Sequence, residues 1–361
     1  MSKIMTYILI PACMALLLVS CDRESIPAAG HAVSVGSVLD SGTRAGGGSF
    51  DRGLQPLFLF WTDGNFGNVS VSAPDFFTRV PGGMIDDYSS SVYNTGVRYP
   101  IRNADVYAVG LAPAPGDGGL TQVAANDWTR FTIPGGSSAY GDDAHGVVDV
   151  LVSNTVSGND SAPIAAPLVF RHALAQMSFR AILAPTMTKF VKFVTVDFPG
   201  SLAPVSVRWD GAASAYRVVA GTDGTDDFTF GNYWTDDGQF LSGSARANAT
   251  QFYLPSKDKA TSMGHLFVAP PDGSSITVTV HYKMCDSVGG FDDPDPANPV
   301  IDVAKKITLS FKDAGGNPVS LHAGDAVTIT LVFDAADIEL VGQLRPWGDG
   351  GHVSLPYQPT K

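Results

Sequence analysis

The chain has 361 residues, 16 % of them charged, with 39 Gly, 24 Pro, 3 Cys and a formal net charge of −12. A chain this acidic offers no basic stripe to phosphate backbones or anionic lipid, which argues against nucleic acid as a partner and against electrostatic attachment to a membrane. Gly and Pro at this frequency interrupt helices and suit many short strands joined by turns.

Lys3 is followed by an apolar run over residues 4–19, interrupted only by Thr6, Tyr7 and Pro11. As a helix that run reaches about 24 Å, short of the roughly 30 Å hydrocarbon core, so it reads as a signal peptide and not as a membrane span. It ends in Leu18-Val19-Ser20-Cys21, which resembles the lipobox of bacterial lipoproteins. The resemblance implies cleavage after Ser20 and a lipid on the thiol of Cys21; the other reading is an ordinary secretory signal with a cysteine beside it. Cleavage leaves 341 residues and, with Lys3 gone, a charge of −13. Cys13 departs with the signal and Cys21 carries the lipid, so Cys285 has no partner for an intrachain disulfide and the exported fold relies on its core. Cys285 ends a strand-like run and reads as space-filling.

Residues 21–31 are small and polar and read as a tether. Val33-Ser34-Val35-Gly36-Ser37-Val38-Leu39 alternates with period two, as a half-buried strand does. Next comes Ser41-Gly42-Thr43-Arg44-Ala45-Gly46-Gly47-Gly48-Ser49, a flexible, exposed segment with one Arg in it. Residues 57–61 are continuously apolar and predict a strand buried on both faces. Further strands are expected at 106–111, 131–133 and 147–152, each bounded by Gly, Pro or Asp. Residues 153–167, rich in Ser, Asn, Gly, Ala and Pro, make the best boundary, dividing an N-terminal β-sandwich domain (32–160) from a C-terminal one (161–361).

Beyond the boundary, 168–182 carries one long strand signal, with a helix as the competing reading of its centre. Val169, Ala173, Ala175, Met177, Phe179 and Ala181 fall on one face, and His172, Gln176, Ser178 and Arg180 on the other. More alternating runs follow at 190–198, 205–209, 216–219, 252–254, 266–268, 276–284, 307–311 and 326–333. In 276–284, Ile276, Val278, Val280, Tyr282 and Met284 oppose Thr277, Thr279, His281 and Lys283, the division of an antiparallel sheet with one wet side. Many short strands and no sustained helical period predict an all-β protein of two tandem β-sandwiches.

Chemistry-bearing constellations are sparse. Asp142, Asp143 and His145 share a loop without a second ligand cluster. Asp292, Asp293 and Asp295 are interleaved with Pro294 and Pro296, which prevents the wrapping of a calcium loop. Asp223, Asp226 and Asp227 lack the glycine and distal glutamate of an EF-hand. All three groups read as acidic turns, so no metal and no cofactor are expected. There is no Gly-x-Ser-x-Gly elbow, His-Glu-x-x-His or phosphate-binding glycine loop, and no enzymatic activity is expected. His172 and His281 read as exposed strand histidines. Among Trp61, Trp128, Trp209, Trp234 and Trp347, the first and third sit in strand runs and read as core, while Trp128 and Trp234 could stack on sugars.

The order of segments resembles the fimbrillin family of Bacteroidia, the subunits and tip proteins of type V pili. The matching pieces are the lipobox, then Thr43-Arg44 ahead of Leu57-Phe58-Leu59-Phe60-Trp61, and Tyr93-Asn94-Thr95-Gly96 leading to Tyr99-Pro100. They continue through Val106-Tyr107-Ala108-Val109-Gly110-Leu111-Ala112-Pro113, Phe170-Arg171-His172-Ala173-Leu174-Ala175 and Ser178-Phe179. They end with Gly324-Asp325-Ala326-Val327-Thr328-Ile329-Thr330-Leu331 and Trp347-Gly348 with Gly350-Gly351.

The resemblance implies two transthyretin-like β-sandwich domains, delivered to the outer membrane and cell surface through the lipid on Cys21. An Arg-specific protease then removes the first strand, and other pilus subunits fill the vacated groove by strand addition. On this chain Val33, Val35 and Val38 would lie in the removed strand, and Arg44-Ala45 would be the scissile bond. Arg52 is the second choice of site, and a plain loop arginine is the alternative reading of Arg44. Cutting a glycine-rich exposed loop needs little unfolding, and removing a buried strand exposes a ladder edge that another strand satisfies. Val353, Leu355 and Tyr357 alternate near the C-terminus and could form a donor strand, limited by Pro356 and Pro359. Tip, accessory, stalk and anchor positions all stay open, as does a host or glycan ligand; the rival reading is a surface glycan-binding lipoprotein. Asp160-Ser161-Ala162 and Asp286-Ser287-Val288 resemble the O-glycosylation motif of exported Bacteroidetes proteins.

Overall fold

Period-two apolar patterning becomes strand after strand in the computed structural model. It describes residues 30–40, 55–67, 69, 73–80, 91–115, 120–133, 140–141, 149–225, 227–231, 260–287, 289–291, 296–313, 316–334 and 338–346. Among these residues the protein is all-β, in four sheets, and no helix is long and apolar enough to cross a membrane.

The first sheet holds β1 (Ala32–Leu39), β2 (Leu57–Thr62), β3 (Phe76–Arg79), β4 (Ser91–Arg98), β5 (Val106–Ala112), β9 (Leu151–Ser153), β10 (Val156–Gly158) and β11 (Leu168–His172). Its spatial order is β3-β2-β5-β9-β11-β1-β4, with β10 also on β5. The second sheet joins β6 (Thr121–Gln122) and β7 (Arg130–Thr132) to the hairpin β14 (Pro204–Asp210) and β15 (Ala215–Ala220). The third runs β19-β18-β13-β16-β8, made of β8 (Tyr140–Gly141), β13 (Phe190–Phe198), β16 (Phe228–Gly231), β18 (Ser275–Cys285) and β19 (Ile301–Ser310). The fourth runs β17-β12-β20-β21, made of β12 (Ala175–Leu183), β17 (Thr261–Val268), β20 (Asp325–Phe333) and β21 (Ile338–Pro346).

The first sheet coils on itself. Val33, Val35 and Leu39 of β1, Phe58 and Phe60 of β2, Val106 and Ala108 of β5, Leu151 of β9 and Leu168 and Phe170 of β11 all enter one apolar cluster. Its two edges meet where Thr78 of β3 lies 3.2 Å from the Tyr93 hydroxyl of β4. The opposite face is buried too. Leu57, Leu59 and Trp61 of β2 and Val109 and Leu111 of β5 pack on Phe131, Val207 and Tyr216 of the second sheet. That two-sided burial explains why 57–61 is apolar without alternation. A third cluster lies between the third and fourth sheets, with Phe179, Phe198, Phe230, Val280, Ile329 and Leu331 in it.

Several expectations change in detail. The run 168–182 is two strands, separated at Ala173 and Leu174, where the chain leaves the first sheet for the fourth. Ala173 N–H donates to the Val150 carbonyl (2.7 Å) and Gly324 N–H to the Leu174 carbonyl (2.8 Å). The corner changes the parity of the inward row: Leu168, Phe170 and His172 point inward before it, Ala175, Met177, Phe179 and Ala181 after it. His172 is therefore buried and not exposed, its Nδ1 lying 2.8 Å from the Asp149 carboxylate. Pairing crosses residue 160, the expected boundary, in several places, β16 with β8 among them. β11 joins the sheet of β1, and β14 pairs with β7. The boundary segment itself contains β10. β3, β4, β6, β8, β16 and β21 are not among the expected runs, and the expected run 252–254 lies outside the described residues.

Candidate functional site: the first strand and its groove

β1 takes its burial from its sequence. Val33, Val35, Ser37 and Leu39 point inward and are buried, whereas Ser34, Gly36 and Val38 are only half-buried on the other face. Val38 thus lies opposite the inward row, and Ser37 occupies an inward place. Both hydrogen-bonding edges of the strand are used. Against β4 it pairs antiparallel, through Ala32↔Arg98, Ser34↔Asn94, Val35↔Tyr93, Gly36↔Val92 and Ser37↔Ser91. Against β11 it pairs parallel, through Ser37↔Leu168, Val38↔Val169 and Leu39↔Phe170. The β4 side carries a bulge opposite Val33, where Gly96 adopts φ 73° and the Thr95 hydroxyl donates to the Val33 carbonyl at 2.9 Å. Only a residue without a Cβ takes that φ at no steric cost.

Phe170 and Phe58 stack at 6.0 Å in the floor of the groove. A Cβ on Gly110 would stand 2.3 Å from the Phe170 ring, so the missing side chain on β5 is what lets that ring lie flat. Val33, Val35 and Leu39 complete the same cluster.

Polar contacts hold both ends of β1. Asp40 N–H donates to the Phe170 carbonyl (2.9 Å), and Arg171 Nε lies 2.9 Å from the Asp40 carboxylate. At the start, Arg98 donates to the Gly30 carbonyl (2.7 Å) and Tyr99 N–H to the His31 carbonyl (3.1 Å). Asp160 accepts from His31 N–H at 2.6 Å and lies 3.0 Å from the His31 ring. The His31 N–H and then the His31 ring hold the Asp160 carboxyl below its ordinary 3.8. A depressed carboxyl stabilises the fold above its unfolded value and stops doing so as pH falls through its folded value. The start of β1 should therefore fray below about pH 4, and Asp160→Asn should fray it at neutral pH. Amide exchange at His31 and Ala32, corrected for intrinsic rate, checks this; unchanged protection in the variant rejects it.

Ser20, Cys21, Arg44, Ala45, Val353, Leu355 and Tyr357 lie outside the described residues, as do Trp234, Trp347 and the Asp142, Asp143 and His145 loop. Asp40 is the last described residue before the segment that carries Arg44, and the chain resumes at Gln55 to enter β2. Trp61 is buried, 6.3 Å from Trp209. Trp128 lies 4.8 Å from Phe77, which is 53 % exposed. His281 is half-exposed, with Nε2 2.6 Å from Asp197. Cys285 is buried, its Sγ 3.2 Å from Asn298 Oδ1. No group of three or more His, Cys, Asp or Glu among the described residues could hold a metal ion. Sequence reasoning found β1 but missed its β4 wall; Tyr93 and Thr95, two apart beside a glycine, were the available signal.

No family model matches the chain, and no curated protein matches it. Solved structures do. A fimbrial protein from Bacteroides vulgatus is 12 % identical, with 87 % of this chain and 99 % of that chain covered and a TM-score of 0.44. A protein from Parabacteroides distasonis described as a candidate for cell adhesion is 9 % identical, with 89 % and 98 % covered and a TM-score of 0.48. A fimbrial assembly protein from the same species is 9 % identical, with 87 % and 95 % covered and a TM-score of 0.39.

Proposed function

We propose that this chain is an adhesive or structural subunit of a cell-surface pilus and not an enzyme. In this reading it is exported as a lipoprotein through Cys21 and activated by a cut at Arg44-Ala45 that frees β1. Another subunit's strand then takes the vacated place. The observation that carries the reading is the position of β1. It is an internal strand with a ladder on each side and an apolar row facing a closed core, and it leads directly into the glycine-rich segment containing Arg44. Loss of a strand so placed leaves two unpaired edges and an apolar groove, and strand addition from another chain satisfies both at once. The lipid on Cys21 is then a delivery tag, left behind with the discarded strand.

N-terminal sequencing of the protein taken from the outer membrane tests this, together with brief trypsin treatment of the purified mature chain. A start at Ala45 in assembled material, and trimming at Arg44 that yields polymers or a species able to take up a donor peptide, are the expected results. A lipidated Cys21 throughout, with trimming that yields an inert monomer, rejects strand exchange for this chain.

A further inference from the structure

The inward row of β1 reads Val33, Val35, Ser37, Leu39, and Ser37 is the exception in it: small and polar, yet fully buried. The register gives its neighbours. Ser37 stands between Leu168 of β11 and Ser91 of β4, while Val35 stands beside Tyr93 and Leu39 beside Phe170. Leu168 is itself fully buried in the cluster, and Ser37 is fully buried beside it. A larger side chain there would overpack a closed core.

Resting on the strand-exchange reading, we propose that the groove reads the sequence of its donor. The occupant is a strand of a different polypeptide, running parallel to β11. It carries β-branched residues at the places of Val33 and Val35, a Gly, Ala or Ser at that of Ser37, and a Leu-sized residue at that of Leu39. The tail of a second copy of this chain does not meet the pattern in that direction. Placing Val353 and Leu355 over the Val33 and Val35 places brings Tyr357 to the small site, and placing them one step later brings Leu355 there. Putting Gly351 or Ser354 at the small site instead brings Asp349 or His352 to the place of Val35. The groove therefore selects against the chain's own tail and in favour of another subunit.

The test uses the mature chain with a sequence-specific protease site inserted in 41–54, cut and freed of β1, and a fluorescent peptide of residues 30–40 as probe. That peptide should bind, its Ser37→Leu form at least about tenfold more weakly, and its Val38→Leu form within about threefold, because position 38 lies on the other face. A peptide of residues 347–361 should bind no better than the Ser37→Leu form. Equal binding of the Ser37→Leu peptide, or strong binding of the tail peptide, overturns the inference and leaves strand exchange standing. Failure of the unaltered peptide to bind removes both. In the uncut chain, Ser37→Leu should lower Tm by several degrees and Val38→Leu should not; equal Tm values for the two variants refute the small site without any cutting.

Discussion

Cutting the chain once within 41–54 should change its stability little, whereas stripping β1 away afterwards should remove most of the stability of the first sheet. After the cut β1 stays seated by its two ladders and its inward row. Stripping is different in kind. Val33, Val35 and Leu39 leave the core, each contributing roughly 1.5–3 kcal/mol of burial, or roughly 5–9 kcal/mol together. The backbone groups of β4 and β11 that faced β1 lose their partners as well. A typical domain is stable by only about 5–15 kcal/mol, so a loss on this scale consumes most of the margin. Denaturant unfolding followed through the fluorescence of buried Trp61, before and after mass spectrometry confirms loss of β1, provides the measurement. An unchanged midpoint after stripping would mean the strand is not integral to the sheet.

Phe170→Ala should cost about 3–5 kcal/mol, the range for truncating a fully buried aromatic. The ring stacks on Phe58, stands beside Leu39 and fills the space that Gly110 leaves open. Gly110→Ala attacks the same packing from the other side: its Cβ would approach the ring to 2.3 Å, and overpacking of this kind costs about 1–3 kcal/mol. The double variant is the informative one. With the ring gone the new methyl has room, so the two losses should sum to more than the double variant shows, by about 1 kcal/mol or more. Equilibrium unfolding of the three variants decides it; strict additivity would mean that Gly110 is needed for its backbone and not for the ring.

Much of the architecture was legible because burial on one face writes itself as period two. The run 276–284 became β18 with the inward row expected of it, and 33–39 became β1. What was not legible depends on partners far along the chain. His172 reads as polar-facing if 168–182 is one strand with one parity, but the corner at Ala173 and Leu174 hands the chain to another sheet and resets the inward row. Ser37 shares the parity of Val35 and Leu39, but a polar residue in an apolar row carries no mark of full burial; that shows only in the sheet, where it stands between Leu168 and Ser91. The pairing of β14 with β7 joins stretches on opposite sides of the expected boundary, and composition carries no trace of such long-range pairing.

The flanking of β1 by two ladders also has a mechanical side. A strand tugged from one end at right angles to its axis unzips, each bond breaking before the next is loaded. A strand seated between β4 and β11 and pulled along its axis is loaded in shear, with the bonds on both flanks sharing the force. Whatever strand fills this slot inherits that geometry. A joint built here would resist traction along the strand better than traction across it.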